Sequence, residues 1–476
     1  MARHPTQADV QAAGSQPKHG LAMTAEPQSV DLLIEGGSVM TMDREGRYWP
    51  SASVVVDKGA ILDVGPRTAL KAAYDPRKTI DAAGMAVLPG FVNCHGHAGM
   101  SLIRGLAEEY PLEAWLSSAV WPLMRNARQE DTYAGARLAC LEMLSSGITT
   151  FIDMWRDLPA TVEAVATSGL RARLAFNMRD FDDARALESE WEQGFDALSM
   201  ASPGSRISFG LSPHSLYACS ETLLQRVSQA AAERRCHLQI HLAETETEVW
   251  NCRGRHGRGP VERLDDLGLL GPNLLVAHGV WLDENDCRRL AAAGASVAHN
   301  ISSNLKLASG VAPLGRFRDS GLNFGLGTDS AASNNTLDPF REMRMATLLQ
   351  RAVAEDPAAF SAYEAMEAAT RNGAVAVGLA EQIGSIETGK RADLVLIDLD
   401  SPRLQPRIRP DRDALAELLV FAATARDVHT VLVDGEILVE NRQVRTLDVS
   451  TVLSEAGRAT RRLLERAATD APPHAH

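Results

Sequence analysis

Residues 90–97 of the chain read GFVNCHGH and decide the fold, because an apolar run ends here in two histidines. In a strand, side chains two positions apart face the same side, so the imidazoles of His95 and His97 can point in one direction. Three further residues of metal-ligand type follow apolar runs later in the chain: His241, His278 and Asp329. This repetition predicts that several strand ends converge on one site.

The sequence around these residues alternates strand-like runs with helical stretches rich in Ala and Leu, such as 132–147 and 221–235. That alternation is typical of βα units with a parallel sheet. Eight candidate strands end near the following residues: His95, Asp153, Phe176, Leu211, His241, His278, His299 and Asp329. The count predicts an α/β fold with a (β/α)8 TIM-like barrel, whose active site lies at the C-terminal ends of the strands.

The flanks of this region have a different texture. Short β-rich runs separated by Gly or Asp occupy residues 31–88 and return at 389–400 and 428–444. We therefore predict a small β-sandwich domain that is built from both chain ends. The predicted segments are a flexible tail (1–28), a first sandwich part (29–88), the barrel (89–383), a second sandwich part (384–450), and a C-terminal helix and tail (451–476).

Composition excludes several classes of function. The 476 residues carry 48 Lys and Arg against 61 Asp and Glu, a net charge of −13, which argues against nucleic acid or an anionic membrane as a partner. No run of 18 apolar residues predicts a transmembrane helix, and the first residues lack the apolar core of a signal peptide. The six cysteines form no CxxC pair and are typical of reduced thiols. We expect a cytoplasmic protein that acts on a small molecule.

Several stretches together resemble one enzyme family. They are LPGFVNCHGHAGMSLIRGLAEE (88–109), GITTFIDMW (147–155), SPHSLYACS (212–220), IHLAETETE (240–248), VAHGVWL (276–282), HNISSNLKLASGVAPL (299–314) and LGTDSAASNNTLDPFREMR (326–344). The sequence resembles the amidohydrolase superfamily, in particular its branch of methylthioadenosine/S-adenosylhomocysteine deaminases and triazine hydrolases (chlorohydrolases). The resemblance extends from about residue 31 to about residue 445.

The resemblance implies four metal ligands: His95, His97, His241 and Asp329. Three imidazoles and one carboxylate suit a divalent ion such as Zn²⁺, with one position left for water, and Fe is the possible substitute. Superfamily members with two metals often bridge them with a carbamylated lysine. Since the chain has no lysine between Lys78 and Lys306, we predict one ion per chain.

The resemblance also implies catalytic roles beside the metal for Glu244 and His278. Glu244 would shuttle a proton to the leaving group, His278 would hold the hydroxide or the tetrahedral centre, and Asp329 would accept the proton of water. Bound Zn²⁺ lowers the pKa of water to about 7, so hydroxide is available at neutral pH. Two nearby acids, Glu246 and Glu248, are interpreted as a solvated helix start.

Four positions are predicted to contact substrate besides Glu244: Trp115, Met124, Phe176 and His214. Trp115 and His214 match a pocket aromatic and a substrate-contacting histidine of the family. Met124 stands where nucleoside deaminases carry a ribose-binding glutamate, and Phe176 stands where they carry an arginine. Since a site that lacks such bonds discriminates against hydroxyls, we expect adenosine-type nucleosides to be poor substrates.

The leading hypothesis is hydrolytic deamination of an aminated N-heteroaromatic compound, purine-like or related, by a metal-bound hydroxide. The alternative is hydrolysis of a triazine, urea or similar xenobiotic with release of chloride or an alkylamine. A non-catalytic binding protein on the same fold is a third reading. Family likeness implies a homo-oligomer, a dimer or larger. The Gly/Arg-rich segment 251–259 is interpreted as a loop, either a lid or a solvated connection.

Overall fold

The computed structural model describes residues 27–155, 157–180, 191–192 and 204–470. The predicted tail 1–28 therefore lies outside the described residues except for its last two positions, as does the end of the predicted C-terminal tail, 471–476. The described strands, in chain order, are β1 (Gln28–Met40), β2 (Tyr48–Asp57), β3 (Ala60–Pro66), β4 (Tyr74–Asp81), β5 (Met85–Pro89), β6 (Phe91–Asn93), β7 (Ile148–Trp155), β8 (Arg171–Met178), β9 (Ile207–Pro213), β10 (His237–Leu242), β11 (Leu274–His278), β12 (Ser296–His299), β13 (Asn323–Leu326), β14 (Leu394–Asp398), β15 (Val428–Val433), β16 (Glu436–Glu440) and β17 (Gln443–Val444).

The described helices are α1 (Arg67–Ala73), α2 (Leu112–Ala114), α3 (Trp121–Met124), α4 (Gln129–Ser145), α5 (Leu158–Ser168), α6 (Glu221–Arg234), α7 (Glu246–His256), α8 (Pro260–Asp266), α9 (Glu284–Ala292), α10 (Ile301–Lys306), α11 (Leu314–Ser320), α12 (Pro339–Ala354), α13 (Ala362–Ala369), α14 (Arg371–Ala376), α15 (Arg412–Ala422) and α16 (Val449–Asp470). A six-residue π-helix, Trp115–Val120, joins α2 to α3. Short 3₁₀ turns lie at Ala98–Ile103, Pro402–Leu404 and Ala425–Asp427.

Strands β6 to β13 form the predicted barrel. Each strand pairs in parallel with the next one along the chain. A hydrogen bond from the Cys94 amide to the Leu326 carbonyl, 2.9 Å, links the last strand back to the first. Strands β10 to β12 are buried along their whole length, as is usual for a parallel sheet that is covered on both faces. The predicted eight-strand count is confirmed, and each predicted strand ending lies within a few residues of the observed one.

The first barrel strand is shorter than the sequence suggested. β6 ends at Asn93, so His95 and His97 lie just after the strand and not within it. Beyond β6 the backbone still bonds to both neighbours, since the carbonyl of His95 accepts from the Asp329 amide at 3.0 Å and the carbonyl of Gly96 accepts from the Met154 amide at 2.9 Å. The two histidines therefore reach the same site.

Strands from both chain ends form a second sheet, in the order β17-β16-β15-β14-β5-β1-β2-β3, with β4 also paired to β1. The joint is the antiparallel pair β5–β14, where Val395 faces Leu88. Residues from both halves, including Val56 and Leu432, share one apolar cluster. The second sheet corresponds to the predicted small β-sandwich domain, and strands from both chain ends build it as one continuous hydrogen-bonded sheet. The five segment boundaries stay predictions.

The segment 251–259 is mostly helical, so its interpretation as a loop is wrong. α7 runs to His256 and stops at Gly257, which adopts a left-handed conformation with φ +64°. Arg253 and His256 lie in its last turn, where basic side chains interact favourably with the negative end of the helix dipole. Gly254 inside the helix is a poor helix former and misleads a reading from composition. Among the described residues, no helix combines the length and apolarity that crossing a bilayer requires.

The C-terminal helix α16 packs against the wall of the barrel mouth. Its buried residues Ala459 and Leu463 belong to the same apolar cluster as Ile103 and Trp115. The hydroxyl of Thr460 donates to the Leu102 carbonyl at 3.0 Å. The helix therefore supports the segment that carries a predicted substrate contact.

We expect Leu463→Ala to lower the free energy of unfolding by about 2–5 kcal/mol, because it leaves a cavity beneath that wall. Leu464→Ala is the matched control, since Leu464 is 38% exposed whereas Leu463 is fully buried. The control should change stability by no more than about 0.5 kcal/mol in the same denaturant titration. Equal losses in both variants would show that α16 does not support the barrel through Leu463.

Candidate active site

The barrel brings five residues of metal-ligand type to the C-terminal ends of its strands. His95 and His97 follow β6, His241 lies in β10, His278 ends β11, and Asp329 follows β13. Two overlapping groups have ligand atoms within 4.8 Å of one another: His95, His97 and His241, and His95, His278 and Asp329. The sequence-predicted ligands are therefore together in space.

Imidazole Nε2 atoms face the centre of this group. The Nε2 atoms of His97 and His241 are 3.4 Å apart. The carboxylate Oδ1 of Asp329 lies 3.4 Å from Nε2 of His97 and 3.5 Å from Nε2 of His95. Lone pairs and a carboxylate oxygen that converge in this way are the donor set of a divalent cation.

Hydrogen bonds on the far side of two of these rings, His97 and His241, fix their orientations. Nδ1 of His97 donates to the Met154 carbonyl at 2.9 Å, and Nδ1 of His241 donates to the His214 carbonyl at 2.8 Å. Since a carbonyl only accepts, the proton sits on Nδ1 in both rings, and Nε2 keeps its lone pair for a ligand.

Asp329 is held from its own far side. Its Oδ2 accepts from the hydroxyls of Ser303 at 2.6 Å and Ser333 at 2.9 Å. The other oxygen, Oδ1, therefore faces the centre of the ligand group together with the imidazole Nε2 atoms. The residue has φ +56°, an uncommon conformation for a residue with a side chain, and its amide is bonded to the carbonyl of His95. Strained backbone of this kind is common where a site must be held in one geometry.

The surroundings of the His95 ring indicate whether a metal ion fits this site. The ring is completely buried, and neither of its nitrogens has a hydrogen-bond partner among the described residues. Burial lowers the pKa of His95 to about 4, so the imidazole is neutral near pH 7. A buried nitrogen without a partner is unfavourable in the protein alone, and a cation at Nε2 would satisfy it. The residues therefore fit a divalent ion.

Glu244 and His278 lie side by side at the edge of the ligand group. Oε2 of Glu244 is 3.7 Å from Nε2 of His278, and Nδ1 of His278 is 2.8 Å from Oδ1 of Asn304. Burial raises the pKa of Glu244 well above its usual range, and the nearby charge of Asp329 adds to this effect. This direction of the shift favours the protonated form of Glu244, which is the form that a proton donor requires.

These groups open into a cavity of about 360 Å³. Four of the predicted substrate contacts line it: Trp115, Met124, His214 and Glu244. Phe176 does not line the cavity, which argues against its predicted contact with substrate. Side chains alternate along β8, and Phe176 lies on the side of the strand that joins the apolar core, whereas Asn177 lines the cavity.

Sequence reasoning missed polar groups in this cavity. Asp157, Asn177 and Arg179 line it, and the guanidinium of Arg179 lies 5.0 Å from the ring centroid of Trp121. Among the described residues, Oδ1 of Asn177 and Nε1 of Trp115 are buried without a partner, so a ligand could bond to both. The alternation of β8 was the signal that could have found Asn177.

A second cavity of about 360 Å³ adjoins the first. Four residues line both: Leu112, Leu116, Trp121 and Tyr217. They come from two places only, the segment around the π-helix Trp115–Val120 and the turn after β9. The two cavities are thus separated by a wall of side chains.

Of the two acids that follow Glu244, only Glu246 is exposed to solvent as the sequence interpretation proposed. Glu246 is exposed, but Glu248 is 8% exposed, and its carboxylate accepts from the amides of Ala243 at 3.0 Å and Glu244 at 2.9 Å. The interpretation of Glu248 as part of a solvated helix start is therefore wrong. Sequence periodicity could not show this, because the bonds run backwards into the turn.

Comparison with known proteins identifies a matching family. The family model described as "Amidohydrolase family" matches residues 86–438. The chain is 39% identical to a 5-methylthioadenosine/S-adenosylhomocysteine deaminase of Pelotomaculum thermopropionicum, over 92% of this chain and 99% of that protein.

Two solved structures share the fold. A zinc-bound adenosine deaminase from Xanthomonas campestris has a TM-score of 0.88 and 32% identity, covering 93% of this chain and 100% of that one. A zinc complex of atrazine chlorohydrolase from Arthrobacter aurescens has a TM-score of 0.83 and 25% identity, covering 90% and 100%. With a family match over most of its length and relatives above 30% identity, this chain belongs to the amidohydrolase family.

Proposed function

We propose that this chain is a mononuclear metal-dependent deaminase that hydrolyses the exocyclic C–N bond of an aminated purine-type ring. The observation that carries the proposal is the position of Glu244. A carboxyl group whose pKa is raised by burial lies beside His278, at the junction of the ligand group and a cavity with aromatic walls. This arrangement supports Glu244 as the proton donor to a leaving amine.

The ion would be held by His95, His97, His241 and Asp329. Zinc is the ion we propose, with iron as the other that imidazole ligands accept. When bound, such an ion supplies Lewis acidity and makes water a nucleophile near neutral pH. The support from this chain is the convergence of Nε2 atoms and the buried His95 ring, whose nitrogens have no hydrogen-bond partner in the described part of the chain.

The protein residues would then divide the proton transfers. Oδ1 of Asp329 accepts a proton from the attacking water, while Oδ2 stays bonded to two serine hydroxyls. His278 holds the water or the developing tetrahedral carbon. Glu244 gives its proton to the amino nitrogen, the C–N bond breaks, and ammonia leaves while the water oxygen stays on the ring. The product is the oxo compound.

The substrate would lie flat against aromatic side chains. Trp115, Trp121, Trp155 and Tyr217 all line the cavity and offer faces and edges for a planar ring. A purine-type ring is favoured because a relative at 39% identity and a structure at 32% identity are named for adenosine-type substrates. These names argue against the expectation that nucleosides are poor substrates, whereas Met124 argues for it.

Met124 gives a direct test of nucleoside recognition. A thioether is only a weak acceptor, so ribose hydroxyls beside it lose water without a replacement. We expect Met124→Glu to raise kcat/KM for adenosine by about 10- to 100-fold relative to its value for free adenine. A wild-type enzyme that already prefers the nucleoside widely would show that other groups, such as Asn177 or Asp157, bind the ribose.

The experiment that tests the proposed function is a substrate screen with the purified, metal-loaded protein. Aminated purines, their nucleosides, pterins, pyrimidines and triazines are compared by ammonia release. Ammonia from purine-type compounds, with the oxo product identified, supports the proposal. Absence of ammonia from every purine-type compound would refute it.

A second candidate is hydrolysis of a triazine or related xenobiotic with loss of chloride or an alkylamine. The apolar Met124 side chain in the cavity favours it, because a thioether adapts to alkyl substituents. Assays for chloride and alkylamine in the same screen separate the two. We also propose a homo-oligomer and a cytoplasmic location, and light scattering on purified protein tests the former.

A further inference from the structure

We infer that Glu248 is a positioning residue that holds the turn carrying Glu244, and this inference rests on the proposed function. The turn runs from the end of β10 at Leu242 to Thr245, the N-cap of α7. It carries Glu244, the proposed proton donor, between two elements that are themselves fixed. Nothing in the chemistry requires a second carboxylate here, so the burial of Glu248 needs another explanation.

The contacts of Glu248 differ from those of an ordinary helix cap. In a capping box, the third helical residue bonds to the amide of the N-cap residue itself. Here, Glu248 reaches further back, with Oε1 on the Ala243 amide and Oε2 on the Glu244 amide. Each carboxylate oxygen takes one of two consecutive amides. The Thr245 hydroxyl still caps the helix by accepting from the Glu248 amide at 3.2 Å.

The turn needs such a restraint because its backbone is strained. Ala243 has φ +50°, a left-handed conformation that is unfavourable for a residue with a side chain. The Ala243 carbonyl is held on the opposite side by the Trp281 amide at 2.9 Å. With Glu248 on one side and Trp281 on the other, the peptide between Ala243 and Glu244 has one orientation. That orientation directs the Glu244 carboxyl to His278, 3.7 Å away.

Glu248 acts through Glu244 and not on the substrate ring. Glu248 lines the second cavity and is absent from the residues that line the first. It is also outside both groups of ligand-type residues found among the described positions. Loss of its two bonds should therefore alter proton delivery while leaving metal and substrate binding unchanged.

The test compares Glu248→Gln with Glu246→Gln. The glutamine amide keeps one oxygen acceptor but turns an NH₂ group towards the second backbone amide, so one bond is lost and two donors face each other. We expect kcat to fall about 10- to 100-fold, since small displacements of a catalytic group have effects of that size. KM should stay within about threefold and the metal content should be unchanged. Glu246→Gln removes the same charge from the same helical turn, at an exposed position, and should behave as wild type.

A second measurement does not depend on activity. Amide hydrogen exchange at Ala243 and Glu244 should be faster in Glu248→Gln than in Glu246→Gln, with exchange elsewhere in β10 unchanged. Glu248→Asp should recover part of the kcat that Glu248→Ala loses, because it retains both acceptor oxygens on a shorter arm. Faster exchange with normal kcat would overturn the inference, as would a fall in kcat accompanied by loss of metal.

The two failures can be told apart. If wild-type protein deaminates no purine-type compound, the proposed function fails, whatever the variants do. If wild-type protein is active and both Glu248→Gln and Glu248→Ala keep its kcat, the proposed function stands and the role of Glu248 is refuted.

Discussion

Glu244→Gln is expected to keep its metal and lose most of its turnover. Glutamine has nearly the same shape, so the fold and cavity should persist, but an amide cannot deliver a proton to the leaving amine. A positioned acid or base contributes roughly 10²- to 10⁴-fold, and we expect kcat to fall within that range. The measurement is ammonia release at saturating substrate, with the metal content determined on the same sample.

The control for Glu244→Gln is again the exposed Glu246→Gln, two residues further along the chain. Glu244 belongs to neither group of ligand-type residues. A change in metal content would mean that it nevertheless contributes to the ion site. Activity near that of wild type, on a substrate that still carries its amino group, would assign the proton transfer to another residue.

Removal of the metal should abolish activity. A chelated and dialysed preparation is expected to lose turnover by about 10³-fold or more, since a Lewis acid supplies several kcal/mol of transition-state stabilisation. Zinc or iron returned at one equivalent should restore it. Elemental analysis of the active protein should give one ion per chain, because no lysine between Lys78 and Lys306 can bridge a second. The melting temperature should fall on removal, because an ion that binds only the folded state stabilises it.

His237 and His241 both lie in β10, so they provide a matched pair of variants for testing the ion site. His241→Asn should lose the ion, because His241 points Nε2 into the ligand group. His237→Asn should retain it, because the ring of His237 bonds instead to the Ala376 carbonyl at 3.0 Å, outside both ligand groups. Two tightly bound ions in wild-type protein, or an active preparation without any, would contradict the mononuclear site.

The barrel and its ligand group were predictable because both depend on local signals. A fully buried parallel strand reads as an unbroken apolar run, and a ligand residue at its end interrupts that run visibly. His278, at the end of β11, follows this rule, whereas in β10 His237, Gln239 and His241 alternate with apolar residues. Since all parallel strands of a barrel end at the same face, the sequence also predicts that these residues meet there.

The substrate cavity was less predictable, because it depends on which side of a strand each residue faces. A shift of one position exchanges the core face for the cavity face. Phe176 and Asn177 are neighbours, and the family resemblance that pointed to Phe176 does not determine which of the two side chains faces the cavity. Met124 lies in a short helix next to the cavity and lines it, and its contact with substrate stays a prediction.

Contacts between distant parts of the chain left no local signal. The role of α16 under Trp115 depends on Leu463, which is more than 300 residues further along the chain and has an ordinary amphipathic context. The carboxylate of Glu248 is close in sequence to its partners, but its bonds depend on a left-handed Ala243 that composition does not indicate.

The wall between the two cavities has a consequence for how the substrate range of this enzyme could diverge. Leu116 and Trp121 belong to one short segment, and neither residue belongs to the ligand group or to the proton relay. A single truncation there would join the two spaces and admit a longer substituent on the ring. Tolerance for new compounds can thus evolve by one-step changes in a partition, while the hydrolytic apparatus stays under constant selection.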